Sequence, residues 1–256
     1  MTPAHQFDGF VYSIELMRSR DGWDERSYPF ALAALRGWER LMLHPKVTFF
    51  VGENGSGKST LIEAIAVASG FNAEGGSRNF NFATHVSHSP LHDYLRIARS
   101  PRRRRDGYFL RAESYYNVAS EIERLDQEPG APPIIGAYGG VSLHGMSHGQ
   151  SFMALMEHRF RSDGLYVLDE PEAALSPNRQ LAFLSRLHEL VLAKSQFIIA
   201  THSPILLAYP NAKIFEFGGN GVNETAYEDL EHVLVTRNFL NRTQVFLDTL
   251  LGDDRD

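Results

Sequence analysis

The chain has 256 residues, 43% of them hydrophobic, which is enough to bury one sizeable core or at most two small ones. Its formal net charge of −6 excludes an overall positive field that would draw it onto DNA or an acidic membrane. The lack of cysteine excludes disulfides, thiol catalysis and cysteine-ligated zinc. The N-terminus lacks the pattern of a signal peptide, and no apolar stretch approaches the ~18 residues of a membrane span, so we expect a soluble cytoplasmic protein.

The first half of the chain alternates between apolar runs and segments rich in Gly, Asn and Ser. The run that ends at residue 52 is continuously apolar, as is typical of a strand buried on both faces of a sheet. In chain order we predict a strand in 7–17, two short strands in 41–52, a helix at 59–68, a loop over 71–90, a helix through "LHDYLRIAR" that starts at Ser89-Pro90, a strand in 106–114, a helix at 117–125 and an irregular connection over 128–140.

The second half continues the alternation of strands and helices. We predict a helix from Ser147, a buried strand in 164–171, a helix from Ser176-Pro177 to about Lys194, a strand in 195–203, two short strands near the C-terminus and a polar helical tail. This order predicts an α/β fold with a mostly parallel central sheet flanked by helices and an antiparallel β element at the N-terminus. No domain boundary is convincing, so we expect one domain over residues 1–256, with a helical or insert region at about 71–160.

The segment "GENGSGKST" (52–60) has the form G-x-x-x-x-G-K-[ST] between a predicted strand and a predicted helix. In such a loop the backbone N–H groups wrap phosphates, the lysine reaches the outer phosphates and the hydroxyl after it faces Mg²⁺. We therefore predict a bound nucleotide with Mg²⁺, and Ser59 as a metal ligand. The predicted nucleotide-binding residues are Asn54, Gly55, Ser56, Gly57, Lys58, Ser59 and Thr60.

The strand "LYVLDEP" supplies the acidic partner of that loop. Four apolar residues place Asp169 at the end of the strand, where it can hold Mg²⁺. Glu170 follows at once and is the natural group to orient or deprotonate the attacking water. His202 ends a later strand and could bond the terminal phosphate or that water, although a lone histidine there is more often structural. We predict Glu170 and His202 as catalytic residues.

The segment "MSHGQSF" (146–152) places a serine just before an apolar helical pattern. A helix that begins at Ser147 offers free backbone N–H groups and the positive end of its dipole, which together suit an anion. A glycine-rich phosphate loop, then S-x-G-Q, then a strand ending in Asp-Glu-Pro and a strand ending in His occur in this order. From residue 10 to about residue 208, the series resembles the ATP-binding-cassette (ABC) ATPases.

The resemblance implies a P-loop NTPase fold with a helical signature region, and an ATPase that forms a head-to-tail homodimer around two ATP molecules. In that family the S-x-G-Q signature serves the γ-phosphate of ATP bound to the other subunit. The matching positions here are Ser147, His148, Gly149 and Gln150, with His148 where the family usually has a second glycine.

Three further segments look like those of SMC, RecF and related DNA-repair ATPases: "IELMRSR", "KVTFFVGENGSGKSTLIEAI" and "VLDEPEAALSP". This likeness implies that Arg18 contributes to the nucleotide pocket. The chain departs from the pattern because it has no coiled-coil insertion, has Ser176 in place of the usual aspartate, and lacks the usual glutamine after the strand between the two halves. Glu113 stands near that glutamine's place and is a candidate metal-site residue there.

Three uses of such an ATPase remain open. The first is an SMC/RecF-like motor or switch that acts in DNA repair or defence with a separate effector protein. The second is the nucleotide-binding subunit of an ABC membrane transporter, and the third is an ATP-gated module without hydrolysis. Transporter subunits usually have the interface glutamine and an adenine-stacking aromatic residue, and this sequence has no clear copy of either. Glu170 argues against the third use, so we favour the first.

One strongly basic cluster, Arg102–Arg105 in "SPRRRRDG", stands out from the acidic whole. It could grip nucleic-acid phosphates, but it could also be a solvated loop or a docking site for an acidic partner.

Overall fold

The computed structural model describes residues 7–77, 89–111, 147–219 and 221–252, together with residues 124, 126 and 136. Its strands are β1 (Val11–Leu16), β2 (Arg40–Met42), β3 (Val47–Gly52), β4 (Gly76–Ser77), β5 (Leu95–Arg99), β6 (Asp106–Arg111), β7 (Gly164–Asp169), β8 (Gln196–Ala200), β9 (Lys213–Gly218) and β10 (Gly221–Glu224). Its helices are α1 (Lys58–Ala68), α2 (His148–His158), α3 (Pro177–Leu192), α4 (Pro204–Leu207), α5 (Glu231–Asn241) and α6 (Thr243–Leu251).

Seven strands form the central sheet in the order β10-β9-β3-β8-β7-β6-β4. The five inner strands are parallel, while β10 and β4 pair antiparallel at the two edges. β7 and β8 are buried along their whole length, as are the first five residues of β3. Burial on both faces explains why these strands are continuous apolar runs in the sequence. The predicted mostly parallel α/β sheet is confirmed.

The N-terminal antiparallel element is also confirmed, as a three-stranded sheet in the order β2-β1-β5. Gln196 of β8 joins the two sheets. Its Oε1 accepts the N–H groups of Phe10 and Val11, both at 2.8 Å, and its Nε2 donates to the carbonyls of Val11 (2.9 Å) and His44 (3.0 Å). Because this buried amide has its hydrogen bonds satisfied on both sides, it fixes the antiparallel sheet against the central one.

Two hydrophobic cores lie on opposite faces of the central sheet. Val47, Phe49 and Val51 belong to the core that α2 and α3 cover, whereas Phe50 belongs to the core that α1 covers. This division follows from the alternation of side chains along a strand. The glycine-rich segment that follows β3 is therefore attached to a strand that is packed on both faces. Among the described residues, no helix is both long and apolar enough to cross a membrane.

The predicted helix through "LHDYLRIAR" is wrong in its second half. Ser89 caps a single 3₁₀ turn, Pro90–Tyr94, by accepting the N–H of Leu91 at 3.2 Å. The remaining residues form β5, in which Ile97 pairs with Ile14 of β1. Leu95 and Ile97 are apolar residues at strand spacing, so pairing with a distant strand takes precedence over the local helical signal.

Two other predictions need correction or lie outside the description. The C-terminal tail is helical as predicted, but it is not polar, because α5 and α6 expose apolar side chains such as Leu240 and Leu250. The described part of 71–160 contains β4, β5 and β6 as well as α2. Glu113, almost all of the predicted helix at 117–125 and almost all of the connection over 128–140 lie outside the described residues.

Candidate nucleotide site

The loop between β3 and α1 has the backbone of a phosphate loop. Gly55 (φ +80°) and Gly57 (φ +96°) adopt left-handed conformations that disfavour other residues, and Gly57 is the N-cap of α1. The loop curls around its own lysine: Lys58 Nζ donates to the carbonyls of Gly52 at 2.6 Å and Glu53 at 2.8 Å. The free N–H groups at the start of α1 and this buried cation together form a site suited to phosphate.

The predicted metal-site residues Ser59 and Asp169 lie together. β3, β8 and β7 are neighbours in a parallel sheet, so their carboxyl ends meet at one edge. There the hydroxyl of Ser59 donates to Oδ1 of the buried Asp169 at 3.1 Å. Arg111, which the sequence reasoning missed, ends the adjacent strand β6, with its Nε 3.8 Å from Oδ2 of Asp169. It also pairs with Glu63 at 2.6 Å.

Glu170 and His202 also lie close together. Glu170 has left-handed backbone angles (φ 49°, ψ 54°), which are uncommon for a residue with a side chain, and its N–H donates to the carbonyl of Ala200 at 2.9 Å. Its Oε1 lies 3.5 Å from Nε2 of His202, and both side chains are partly exposed. The turn after β7 thus presents a carboxylate and an imidazole at the edge where the phosphate loop lies.

The charges of this cluster perturb one another. Burial lowers the pKa of the Lys58 ammonium, while the carboxylates of Glu170, Asp169 and Glu172 act in the opposite direction. Burial, followed by the charge of Lys58, lowers the pKa of His202, and Glu170 opposes that shift. His202 is therefore neutral at neutral pH, with one ring nitrogen that can donate and one that can accept.

The S-x-G-Q segment forms a capping box at the start of α2. The N–H of Gln150 donates to Oγ of Ser147 at 3.4 Å, and the N–H of Ser147 donates to Oε1 of Gln150 at 3.0 Å. Gly149 is buried so close to the turn after Glu170 that an added Cβ would lie 2.7 Å from the carbonyl oxygen of Ala174. Arg179 of α3 donates to Oγ of Ser147 at 3.3 Å. The side chain of His148 lies outside the described part of the chain.

The guanidinium of Arg18 bonds to other residues of its own chain. One nitrogen of its guanidinium pairs with Glu25 at 3.1 Å, and another donates to the carbonyls of Leu35 and Trp38. The segment that contains Leu35 contacts the phosphate loop, because the N–H of Ala34 donates to the carbonyl of Ser56 at 2.8 Å. Arg18 therefore supports a neighbour of the loop, and a direct contact with nucleotide stays a prediction.

The basic cluster divides into two pairs. Arg102 pairs with Asp163 at 2.5 Å and lies over the ring of Phe10, and Arg104 donates at 2.6 Å to a carbonyl just after α1. Arg103 and Arg105 are exposed. Half of the run is thus used to hold loops together, and the other half faces solvent.

The chain matches two family models in succession. A model described as an AAA domain matches residues 26–127, and one described as "AAA domain, putative AbiEii toxin, Type IV TA system" matches residues 134–208. The first range contains the phosphate loop, and the second contains the capping box, Asp169, Glu170 and His202. A comparison with curated proteins finds no match.

Similar solved structures include an ATP-binding cassette of an ABC transporter in its ADP conformation, with 18% identity over 95% of this chain and 99% of that chain and a TM-score of 0.47. CbiO1 from Clostridium perfringens, part of an ABC transporter complex, has 16% identity over 92% and 97% and a TM-score of 0.48. The SMC head domain from Thermotoga maritima has 16% identity over 84% and 98% and a TM-score of 0.44.

Proposed function

We propose that this chain, which two AAA-domain models match in succession, is an ABC-type ATPase that hydrolyses ATP with Mg²⁺ in a site shared between two copies of the chain. The observation that carries this proposal is the meeting of three strand ends. The phosphate loop after β3, the acid pair at the end of β7 and His202 after β8 lie at one edge of the sheet, within reach of a single triphosphate.

The residues fit a magnesium ion. Mg²⁺ prefers oxygen ligands and usually takes one or two from protein and the others from phosphate and water. Ser59 and Asp169 offer a hydroxyl and a carboxylate 3.1 Å apart. Among the described residues, no group of three His, Cys, Asp or Glu side chains could hold a metal alone. The bound ion would neutralise charge on the phosphates.

The remaining groups supply positioning and proton transfer. Lys58 would exchange its bonds to the carbonyls of Gly52 and Glu53 for phosphate oxygens. The water oxygen attacks the γ-phosphorus, the bond to the ADP oxygen breaks, and the water's proton passes to the carboxylate of Glu170. His202, neutral and beside Glu170, would hold that carboxylate or donate to the γ-phosphate.

The second half of each site would come from the partner copy. Ser147 and Gln150 are exposed, and the described contacts of the capping box run to the turn after Glu170 and to α3. The N-terminus of α2 would therefore complete the site of a second chain, where its N–H groups and dipole favour the γ-phosphate.

For the biological role we favour a cytoplasmic SMC/RecF-like switch that works with a separate effector protein, over a transporter subunit. The specific observation is the exposure of Arg103 and Arg105 in an acidic protein. Arg103 lines a cavity of about 590 Å³, and its exposed guanidinium, with that of Arg105, suits a polyanion such as nucleic acid.

Replacement of Glu170 by glutamine tests the hydrolytic proposal. Glu170→Gln should bind ATP normally, lose turnover by ~10²-fold or more, and accumulate as an ATP-dependent dimer in light scattering. Glu189→Gln, which changes an exposed glutamate on α3, is the matched control and should leave all three properties unchanged. Normal turnover in Glu170→Gln would show that Glu170 is not the base.

A further inference from the structure

Glu172 is a carboxylate beside the proposed site that the mechanism above does not use. It lies in the 3₁₀ turn Pro171–Ala174, directly after Glu170. Its Oε1 accepts the N–H of His202 at 2.5 Å. Its Oε2 is buried and has no hydrogen-bond partner among the described residues.

This placement is costly for a carboxyl group. Burial raises the pKa of Glu172, the hydrogen bond from the N–H of His202 opposes that shift, and the nearby charge of Glu170 adds to it. A buried acid with one unsatisfied oxygen destabilises the fold relative to a packed apolar side chain. Packing alone therefore does not explain why a glutamate stands here. Its hydrogen bond to the main chain just after β8 offers an explanation.

The hydrogen bond from His202 to Glu172 lies beyond the part of the backbone that pairing in the sheet holds in place. β8 ends at Ala200, so the main chain of His202 lies beyond the ladder. Side chains hold it instead: Glu172 binds the N–H of His202, and Oγ of Ser203 donates to Gln180 at 2.5 Å. The ring of His202 has its Nε2 3.5 Å from Oε1 of Glu170. Glu172 is thus bonded to the backbone that carries this ring.

We propose that Glu172 is a positioning residue for ATP hydrolysis: by holding the main chain of His202, it keeps the imidazole beside Glu170. This inference rests on the proposed ATPase function. Because a displacement of about 1 Å at a reacting centre can cost ~10²-fold in rate, loss of the bond should lower turnover without weakening ATP binding at the Lys58 loop.

Three substitutions separate positioning from packing. Glu172→Ala removes the acceptor and should lower kcat by roughly 10- to 100-fold, with KM and ATP affinity within about twofold of the unsubstituted protein. Glu172→Gln keeps an acceptor for the N–H of His202 and should retain most of the activity. Glu172→Met fills the space without accepting a bond and should behave like Glu172→Ala, so it serves if the alanine variant does not fold. Glu189→Ala is the surface control.

A double-mutant cycle with His202→Ala tests whether Glu172 acts through His202. If Glu172 acts through His202, Glu172→Met should cost activity in the original chain and nothing further when His202 is already alanine. The positioning role would be overturned if the losses of turnover multiply in the double variant. It would also be overturned if Glu172→Gln is as impaired as Glu172→Met. No ATP hydrolysis by the unsubstituted protein would instead refute the proposed function itself, so the two failures are distinguishable.

Discussion

Replacement of Gly149 by alanine tests the contact between the capping box and the turn after Glu170. The new Cβ would meet the guanidinium of Arg179 and would lie 2.7 Å from the carbonyl oxygen of Ala174. Arg179 can swing away, at the loss of its 3.3 Å bond to Ser147. The carbonyl group of Ala174 belongs to the backbone and cannot swing away, so α2 must move outward.

The size of the effect follows from overpacking. Inserting a methyl group into a filled site typically costs roughly 1–3 kcal/mol. For a chain of this size, each kcal/mol lowers Tm by roughly 2–4 °C, so we expect a decrease of roughly 2–12 °C. The displacement of Ser147 and Gln150 should weaken ATP-dependent dimerisation and turnover by ~10-fold or more, since a misplacement of about 1 Å can cost ~10²-fold.

Thermal unfolding, nucleotide titration, light scattering and ATPase rates would measure these effects. Gly149→Ala should bind ATP as tightly as the unsubstituted chain, because the Lys58 loop is untouched. Gly219→Ala is the control, since no atom of the described residues lies within 4 Å of its added Cβ. A Gly149→Ala protein with unchanged Tm, dimerisation and turnover would refute the reasoning that the close approach of α2 matters.

Two other predictions follow from the arginine run and from a half-buried histidine. Arg103→Ser with Arg105→Ser should weaken duplex DNA binding and reduce the slope of log K against log salt by about 2, with basal ATPase unchanged; an equal slope in the double variant would remove the nucleic-acid role. His44 Nδ1 accepts the N–H groups of Lys46 (3.2 Å) and Val47 (3.3 Å), and burial lowers its pKa. Because the unfolded chain takes up that proton first, this contribution to stability is present above pH ~6.5 and is lost as pH falls through the lowered pKa of the folded state. His44→Asn can accept the same bonds without titrating, so its Tm should fall less than that of the unsubstituted protein between pH ~7.5 and ~5.5; identical profiles would contradict this.

The central sheet was predictable because its strands have strong local signals. β3 and β7 are apolar along most of their length, and each is followed by a segment whose composition shows its chemistry, the glycine loop or the acid pair. α1 and α3 begin at residues that cap or start helices. These signals lie within a few residues of the structure they determine, so the fold class and the meeting of Ser59 with Asp169 could be inferred.

The features that were missed depend on contacts between distant residues. β5 exists because it pairs with β1, about 80 residues earlier, and no property of "LRIAR" alone indicates that partner. Glu172 reaches His202 across 30 residues because β7 and β8 are adjacent, which a motif cannot show. The sequence shows Arg102 only as part of a basic run, whereas its partner Asp163 lies 61 residues away.

The central claim is that each ATP site is assembled from two chains, and a mixing experiment tests it most directly. Ser147→Arg should still bind ATP through its own loop but fail to dimerise or turn over, while Lys58→Ala should fail because it holds no nucleotide. Mixed together, the two variants can form one intact site from the loop of the first and the signature of the second. We predict ATP-dependent association, measured by light scattering, in the mixture and in neither variant alone. Hydrolysis at the normal rate by monomeric Ser147→Arg would contradict the shared site and reduce the capping box to an ordinary helix start.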